Sequence, residues 1–107
     1  MNENGNVFFE EIDPAEVEQS IAERQTKIID VREVDEYNSG HIPSAKLIPL
    51  SEFAERFQEI DPEDSVILVC RSGKRSAMAC EFLARQGYSK IKNMVGGMLA
   101  WQGDVEK

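Results

Sequence analysis

Residues 65–87 read SVILVCRSGKRSAMACEFLARQG, an apolar run and an amphipathic run joined by a short cationic connection. The apolar run, SVILVC (65–70), does not alternate with polar residues, which predicts a strand buried on both faces of a sheet. The amphipathic run, SAMACEFLARQ (76–86), predicts a helix that Gly87 ends. The connection is RSGKR (71–75). This unit therefore predicts a buried strand, a tight loop and a helix, in that order.

Strand-like and helix-like stretches also alternate along the rest of the chain. Short apolar runs predict four further strands, at 7–12, 27–31, 45–50 and 90–95. Helices are predicted at 13–24, 33–40 and 51–60, followed near the end by a glycine turn and a helical turn at 96–104. Asp13 and Glu16 match a capping box at the start of the first helix. The alternation predicts an α/β fold with a central, mainly parallel five-stranded sheet flanked by helices.

The composition limits the classes of partner. The chain has 107 residues and a formal net charge of -8, from 12 Lys and Arg against 20 Asp and Glu. We expect residues 1–6 to form a flexible tail and residues 7–104 to form a single, monomeric domain. The acidic balance argues against nucleic acid and anionic membranes as partners, and no apolar run approaches the roughly 18 residues of a membrane span. Two cysteines and no visible signal peptide favour a reducing, cytoplasmic location.

Cys70 ends the buried strand just before the predicted helix, and the connection that follows is rich in positive charge. The first N–H groups of a helix lack intrahelical partners and attract anions. Gly73 lets the backbone curl so that successive N–H groups point inward as an anion nest. This setting favours the thiolate, which is the nucleophilic form of cysteine. The candidate site therefore has Cys70 as the catalytic nucleophile and the following substrate-binding residues: Arg71, Ser72, Gly73, Lys74 and Arg75.

Among the three cations of the loop, we expect Arg75 to turn inward, because it lies closest to the start of the predicted helix. Arg71 is expected to stay in solvent. Each feature also has a structural explanation by itself, since a cysteine at a strand end is often a small buried hydrophobe and loop cations are often solvated. Their coincidence around one glycine, directly before a helix, favours a reactive site.

The length of the loop bears on the chemistry. Cysteine phosphatases place an arginine six residues after the cysteine and usually a histidine before it. Here Arg75 comes one position too early and residue 69 is Val. The loop is thus one residue short for a phosphoryl group, and a tighter ring leaves room for a single sulfur atom. A small phosphatase or arsenate reductase stays open as the less favoured alternative.

Three stretches resemble, in the family's own order, the hallmark stretches of the rhodanese family: DVREVDEYNSGHIPSA (30–45), VCRSGKRSAMACEFLARQGY (69–88) and VGGMLAW (95–101). Ser44 departs from the glycine that the family usually has in that turn. The resemblance implies a three-layer α/β/α fold and sulfur transfer through a persulfide on Cys70, with no metal or organic cofactor. It implies thiosulfate or a related anionic persulfide as donor, and cyanide, a thiol or a protein as acceptor. An alternative is a sulfur-relay or docking module that delivers the sulfur only to a protein partner.

Several residues outside the loop have both a structural and a functional interpretation. We expect Asp30 and Arg32 to form an ion pair that ties a strand to the next helix, with Glu36 as a third member, rather than to shape the site. For His41 we expect a hydrogen bond that fixes a turn rather than an acid–base role. Cys80 favours a packed core thiol over a resolving cysteine, because the helical rise carries it away from the loop.

Overall fold

The computed structural model describes residues 9–23 and 26–107, in which five strands form one sheet. The strands are β1 Glu10–Ile12, β2 Lys27–Asp30, β3 Lys46–Leu47, β4 Val66–Val69 and β5 Ile91–Met94. Their order is β1-β5-β4-β2-β3, and every neighbouring pair is parallel. The predicted parallel α/β fold is confirmed. The predicted tail at 1–6, the start of the first strand at 7 and 8, and residue 24 of the first helix lie outside the described residues.

The helices of the described ranges are α1 Pro14–Ala22, α2 Val34–Asn38, α3 Phe53–Arg56, α4 Lys74–Arg85 and α5 Gly97–Ala100. The capping box of α1 is confirmed: Asp13 accepts the Glu16 N–H at 2.9 Å, and Glu16 accepts the Asp13 N–H at 3.1 Å. In this part of the chain, no helix combines the length and the apolar character needed to cross a bilayer.

Two predicted elements differ in extent from those observed. The helix expected at 51–60 is α3 between two 3-10 turns, because the backbone at Glu52 and Arg56 departs from α-helical angles. The strand expected at 45–50 is reduced to the two residues of β3. Ile48 and Leu50 still donate their N–H groups to the carbonyl oxygens of Asp30 and Val31, each at 3.0 Å, but the chain turns into a 3-10 turn at Leu50, directly after Pro49.

β4 is the core of the sheet, and its side chains serve both faces in alternation. All of its residues are at most 1% exposed, which confirms the predicted burial on both sides. Val66, Leu68 and Cys70 belong to the core that α3 and α4 cover. Ile67 and Val69 belong to the core on the opposite face, under α1 and α2. The sheet is thus the middle of three layers, and the two-residue period of a strand places the Cys70 side chain on the α4 side.

A buried ion pair fixes the end of β2. Asp30 is fully buried and accepts from Arg32 Nε at 3.0 Å and from Arg32 Nη2 at 2.8 Å. Arg32 Nη2 also donates to the carbonyl oxygen of Gly40 at 2.8 Å, which ties β2 to the chain after α2. The predicted ion pair is confirmed, but the prediction that Glu36 is its third member is wrong, because the Glu36 carboxylate binds Arg75 instead.

His41 has the structural role predicted for it. Its Nδ1 lies 2.8 Å from the carbonyl oxygen of Tyr37, and its ring stacks on the Tyr37 ring with centroids 3.7 Å apart. The backbone of His41 also exchanges hydrogen bonds of 2.9 Å and 2.8 Å with Glu106. The residue therefore fixes the turn after α2 and binds the C-terminal segment to it.

Removing the cation of the buried pair tests its contribution to stability. Arg32→Ala leaves the Asp30 carboxylate buried without its partner, so the free energy of unfolding should fall by about 3–5 kcal/mol. Urea unfolding at neutral pH measures the change. Lys27→Ala, which removes the cation of the exposed pair with Asp64, is the matched control and should change stability little. Equal losses in the two variants would contradict the assignment.

Candidate active site

The sulfur of Cys70 lies at the start of α4. The residue before that helix, Gly73, has a left-handed backbone with φ of 99° and no side chain that could cap the helix. Cys70 Sγ takes that role, accepting the N–H of Gly73 at 3.1 Å and the N–H of Ser76 at 3.3 Å. The helix therefore begins at Lys74 and not at residue 76 as predicted. N–H groups that have no partner within the helix are directed at the sulfur.

The loop is held from its other side by the start of α5. The N–H of Met98 donates to the carbonyl oxygen of Cys70 at 2.8 Å, and the N–H of Leu99 donates to that of Arg71 at 3.0 Å. This approach requires Gly97, because a Cβ there would overlap the Arg71 carbonyl group. A trans peptide directs its N–H opposite to its C=O. With the Arg71 carbonyl turned to α5, the N–H of Ser72 that follows it turns towards the sulfur side, and it is one of the groups that lower the pKa of Cys70.

The two thiols of the chain have opposite environments. Burial raises the pKa of the Cys70 thiol, but hydrogen bonds from Ser76, Gly73 and Ser72 outweigh burial and bring that pKa below its ordinary value. Cys80 is fully buried in the core, and burial raises its pKa to about 12. The interpretation of Cys80 as a packed core thiol is confirmed. Cys70 is the cysteine whose surroundings favour the thiolate.

Arg75 is bound to a carboxylate of α2. Its Nη1 and Nη2 donate to the two carboxylate oxygens of Glu36, each at 2.8 Å. This two-fold hydrogen bond lowers the pKa of Glu36 to about 2. The charge of Arg75 still acts on Cys70, but much of its field is cancelled by the carboxylate. Sequence reasoning placed Glu36 with a different arginine and did not predict this pair.

Arg71 and Lys74 are both exposed, and neither has a carboxylate within 4.0 Å among the described residues. The solvent position expected for Arg71 is confirmed. Every other Lys or Arg in the same ranges, apart from Lys107 at the end of the chain, pairs with a carboxylate. Within the described ranges, unpaired positive charge other than that of Lys107 is therefore carried by the loop that follows Cys70, where it can attract an anion.

Two residues that contact this network were not predicted. Ser76 donates its N–H to Cys70 Sγ, and its Oγ lies 3.3 Å from Sγ and 2.5 Å from Asn93 Oδ1. Placing the helix start at Gly73 would have identified Ser76, because the third residue of a helix is the usual recipient of a capping acceptor. For Asn93 the signal was the two-residue period of a strand, which places its amide on the same face of β5 as Ile91.

Comparison with known proteins agrees with this fold. The family described as Rhodanese-like domain matches residues 13–104. The chain belongs to the rhodanese family.

Its relatives include sulfur-handling proteins. A sulfurtransferase of Allochromatium vinosum is 37% identical over 92 residues, covering 85% of this chain and 86% of that protein. YrkF of Bacillus subtilis, named for a sulfur-carrier role, is 40% identical over 85 residues, which cover 79% of this chain and 46% of YrkF. The crystal structure of a rhodanese-like domain protein from Staphylococcus aureus superposes with a TM-score of 0.84 at 34% identity, covering 92% and 97% of the two chains. The family is one of sulfurtransferases and sulfur carriers.

The opposite pKa shifts of the two thiols predict selective alkylation. Iodoacetamide should modify Cys70 in the native protein, with a rate that rises through a midpoint below the pKa of about 8.5 of a free cysteine. Cys80 should react only after unfolding in urea, because its pKa is about 12. Intact-mass spectrometry between pH 5 and pH 9 follows both sites, and Cys70→Ala serves as the control. Equal labelling of both cysteines in the native protein would contradict the assignment.

Proposed function

We propose that this protein is a sulfurtransferase in which Cys70 carries the transferred sulfur as a persulfide. The observation that supports the proposal best is the contact of Cys70 Sγ with the N–H groups of Gly73 and Ser76, at 3.1 Å and 3.3 Å. Donors fixed in this way stabilise a negative charge on sulfur without rearranging. The substrate-binding residues of the proposal are Arg71, Ser72, Gly73, Lys74 and Arg75.

The reaction proceeds in two displacements. The Cys70 thiolate attacks the outer sulfur of thiosulfate, a bond forms between Sγ and that sulfur, and the S–S bond of thiosulfate breaks. The bonding electron pair leaves with sulfite, and Cys70 carries an anionic persulfide. Cyanide or a thiolate then attacks the outer sulfur of the persulfide, and the electron pair returns to Sγ. Charge balances in each step, and a preformed thiolate needs no general base, so ping-pong kinetics follow.

The cations of the loop have different parts in donor binding. Arg71 and Lys74 are exposed and act as the first contacts for an anionic donor. Both terminal nitrogens of Arg75 already donate to the Glu36 carboxylate at 2.8 Å. Arg75 therefore contacts the donor only while its guanidinium also binds Glu36. Because Cys70 itself is fully buried, the outer sulfur of a donor must enter among the loop N–H groups. A slender anion with a terminal sulfur meets that requirement.

A sulfur-relay module is the second candidate function. The name of YrkF, a relative at 40% identity, supports it, and the same Cys70 persulfide would be the carried species. The two functions differ in the acceptor. A sulfurtransferase passes the sulfur to cyanide or a small thiol, whereas a relay module releases it only to a protein partner.

Persulfide formation is the direct test of the proposed function. Treatment with thiosulfate or glutathione persulfide should add one sulfur, about 32 Da, to the native protein and to Cys80→Ala, but not to Cys70→Ala. Intact-mass spectrometry measures the gain, and subsequent addition of cyanide should remove it as thiocyanate. If the protein gains the sulfur but neither cyanide nor small thiols remove it, the result would favour the relay. Loading that persists in Cys70→Ala would refute the proposal.

Charge removal tests the role of the unpaired cations. Arg71→Gln combined with Lys74→Gln should lower the second-order rate of persulfide loading by thiosulfate on the order of 10-fold, because local attraction of the anion is lost. The difference should shrink as salt is added. Arg85→Gln combined with Lys90→Gln changes the net charge equally but removes cations that already pair with Glu81 and Glu63. The same loss in this control would show that net charge alone matters.

A further inference from the structure

Asn93 lies on β5 and is 2% exposed. Its Nδ2 donates to the carbonyl oxygen of Gly73 at 3.2 Å and to Glu11 Oε2 at 3.2 Å. Its Oδ1 accepts from Ser76 Oγ at 2.5 Å. The carboxamide is therefore bonded at both ends, and one of its partners is the hydroxyl group that contacts Cys70 Sγ.

The orientation of this carboxamide is determined by its partners. If the amide were flipped, its oxygen would face the Gly73 carbonyl and the Glu11 carboxylate. A backbone carbonyl and an ionised carboxylate are both acceptors, so neither could donate a hydrogen bond to that oxygen. Asn93 Oδ1 therefore faces Ser76 and needs a proton from it. A serine hydroxyl has only one proton to donate. Ser76 Oγ is 2.5 Å from Oδ1 and 3.3 Å from Cys70 Sγ, so the shorter contact assigns the proton to Asn93.

We propose that Asn93 is a positioning residue that competes with the Cys70 sulfur for the single proton of the Ser76 hydroxyl group. While Cys70 is a thiol, its S–H donates to Ser76 Oγ, and Ser76 donates to Asn93. When the thiolate forms, the Ser76 proton turns to the sulfur, and Asn93 Oδ1 loses its donor. Asn93 thus restrains ionisation of Cys70 and sets the balance between thiol and thiolate. The inference rests on the proposed role of Cys70 as the nucleophile.

Other charged or titratable groups also act on this network, and they stay constant in the comparison below. On the loop and α4 they are Arg71, Lys74 and Arg75, and from other elements they are Glu11 of β1, Glu33 before α2 and Glu36 of α2. Glu36, with a pKa of about 2, does not change ionisation between pH 5 and pH 9. Cys80 does not contribute, because all variants below are made in Cys80→Ala protein. A difference between variants in that range therefore reports on Cys70 and the hydroxyl group beside it.

A double-mutant cycle measures the competition. Asn93→Leu, Ser76→Ala and the combined variant are prepared in Cys80→Ala protein, and the pKa of Cys70 is taken from the pH dependence of iodoacetamide alkylation. Asn93→Leu frees the Ser76 proton, so it should lower the pKa of Cys70 by about one unit more when Ser76 is present than when Ser76→Ala is also made. A purely structural role predicts the same shift in both backgrounds, and that result would overturn the inference.

A second measurement needs no change at Asn93 and so does not depend on the folding of that variant. The infrared S–H stretching band of Cys80→Ala protein arises from Cys70 alone and should move to higher frequency in Ser76→Ala, since the thiol loses its acceptor. An unchanged band would overturn the inference. Neither readout requires sulfur transfer, so failure of thiosulfate or glutathione persulfide to load the protein would refute the proposed function separately.

Discussion

The hydrogen bonds that Cys70 Sγ accepts from the first turn of α4 are the contacts on which this structure depends. Gly73 supplies no capping side chain, so without the sulfur its N–H and that of Ser76 would be left unpaired in a buried place. An unpaired buried donor costs about 1–3 kcal/mol. The same donors favour negative charge on the sulfur. Helix formation and thiolate stabilisation therefore come from one set of contacts.

The arginines and lysines of the loop and its surroundings have two different roles, one structural and one open to ligands. Arg32 is buried with Asp30, and Arg75 is bound by both carboxylate oxygens of Glu36. These guanidinium groups hold β2 and α4 to the α2 region. Arg71 and Lys74 instead face solvent. An acidic protein can thus present a local positive potential at its reactive loop, because carboxylates pair with the other cations of the described residues, apart from Lys107 at the end of the chain.

The sequence was sufficient to predict what depends on local pattern. Uninterrupted apolar residues predicted the buried β4, and a glycine with cations before an amphipathic helix predicted the reactive loop around Cys70. The Glu36–Arg75 pair and the Asn93–Ser76 contact could not be predicted, because they join residues 39 and 17 positions apart in the chain through the packing of separate elements. The predicted start of α4 was two residues too late, because the helix is capped by the sulfur of Cys70 and not by a side chain on the residue directly before it.

The deep burial of Cys80 has a consequence for oxidative damage. A disulfide forms by attack of a second thiolate, and a thiol with a pKa of about 12 supplies almost none at neutral pH. A sulfenic acid formed at Cys70 would therefore find no partner within the chain. Its recovery depends on thiols in the surroundings, and where these are depleted the oxidation proceeds to irreversible acids. The protein's working lifetime is thus tied to the reducing capacity of its compartment.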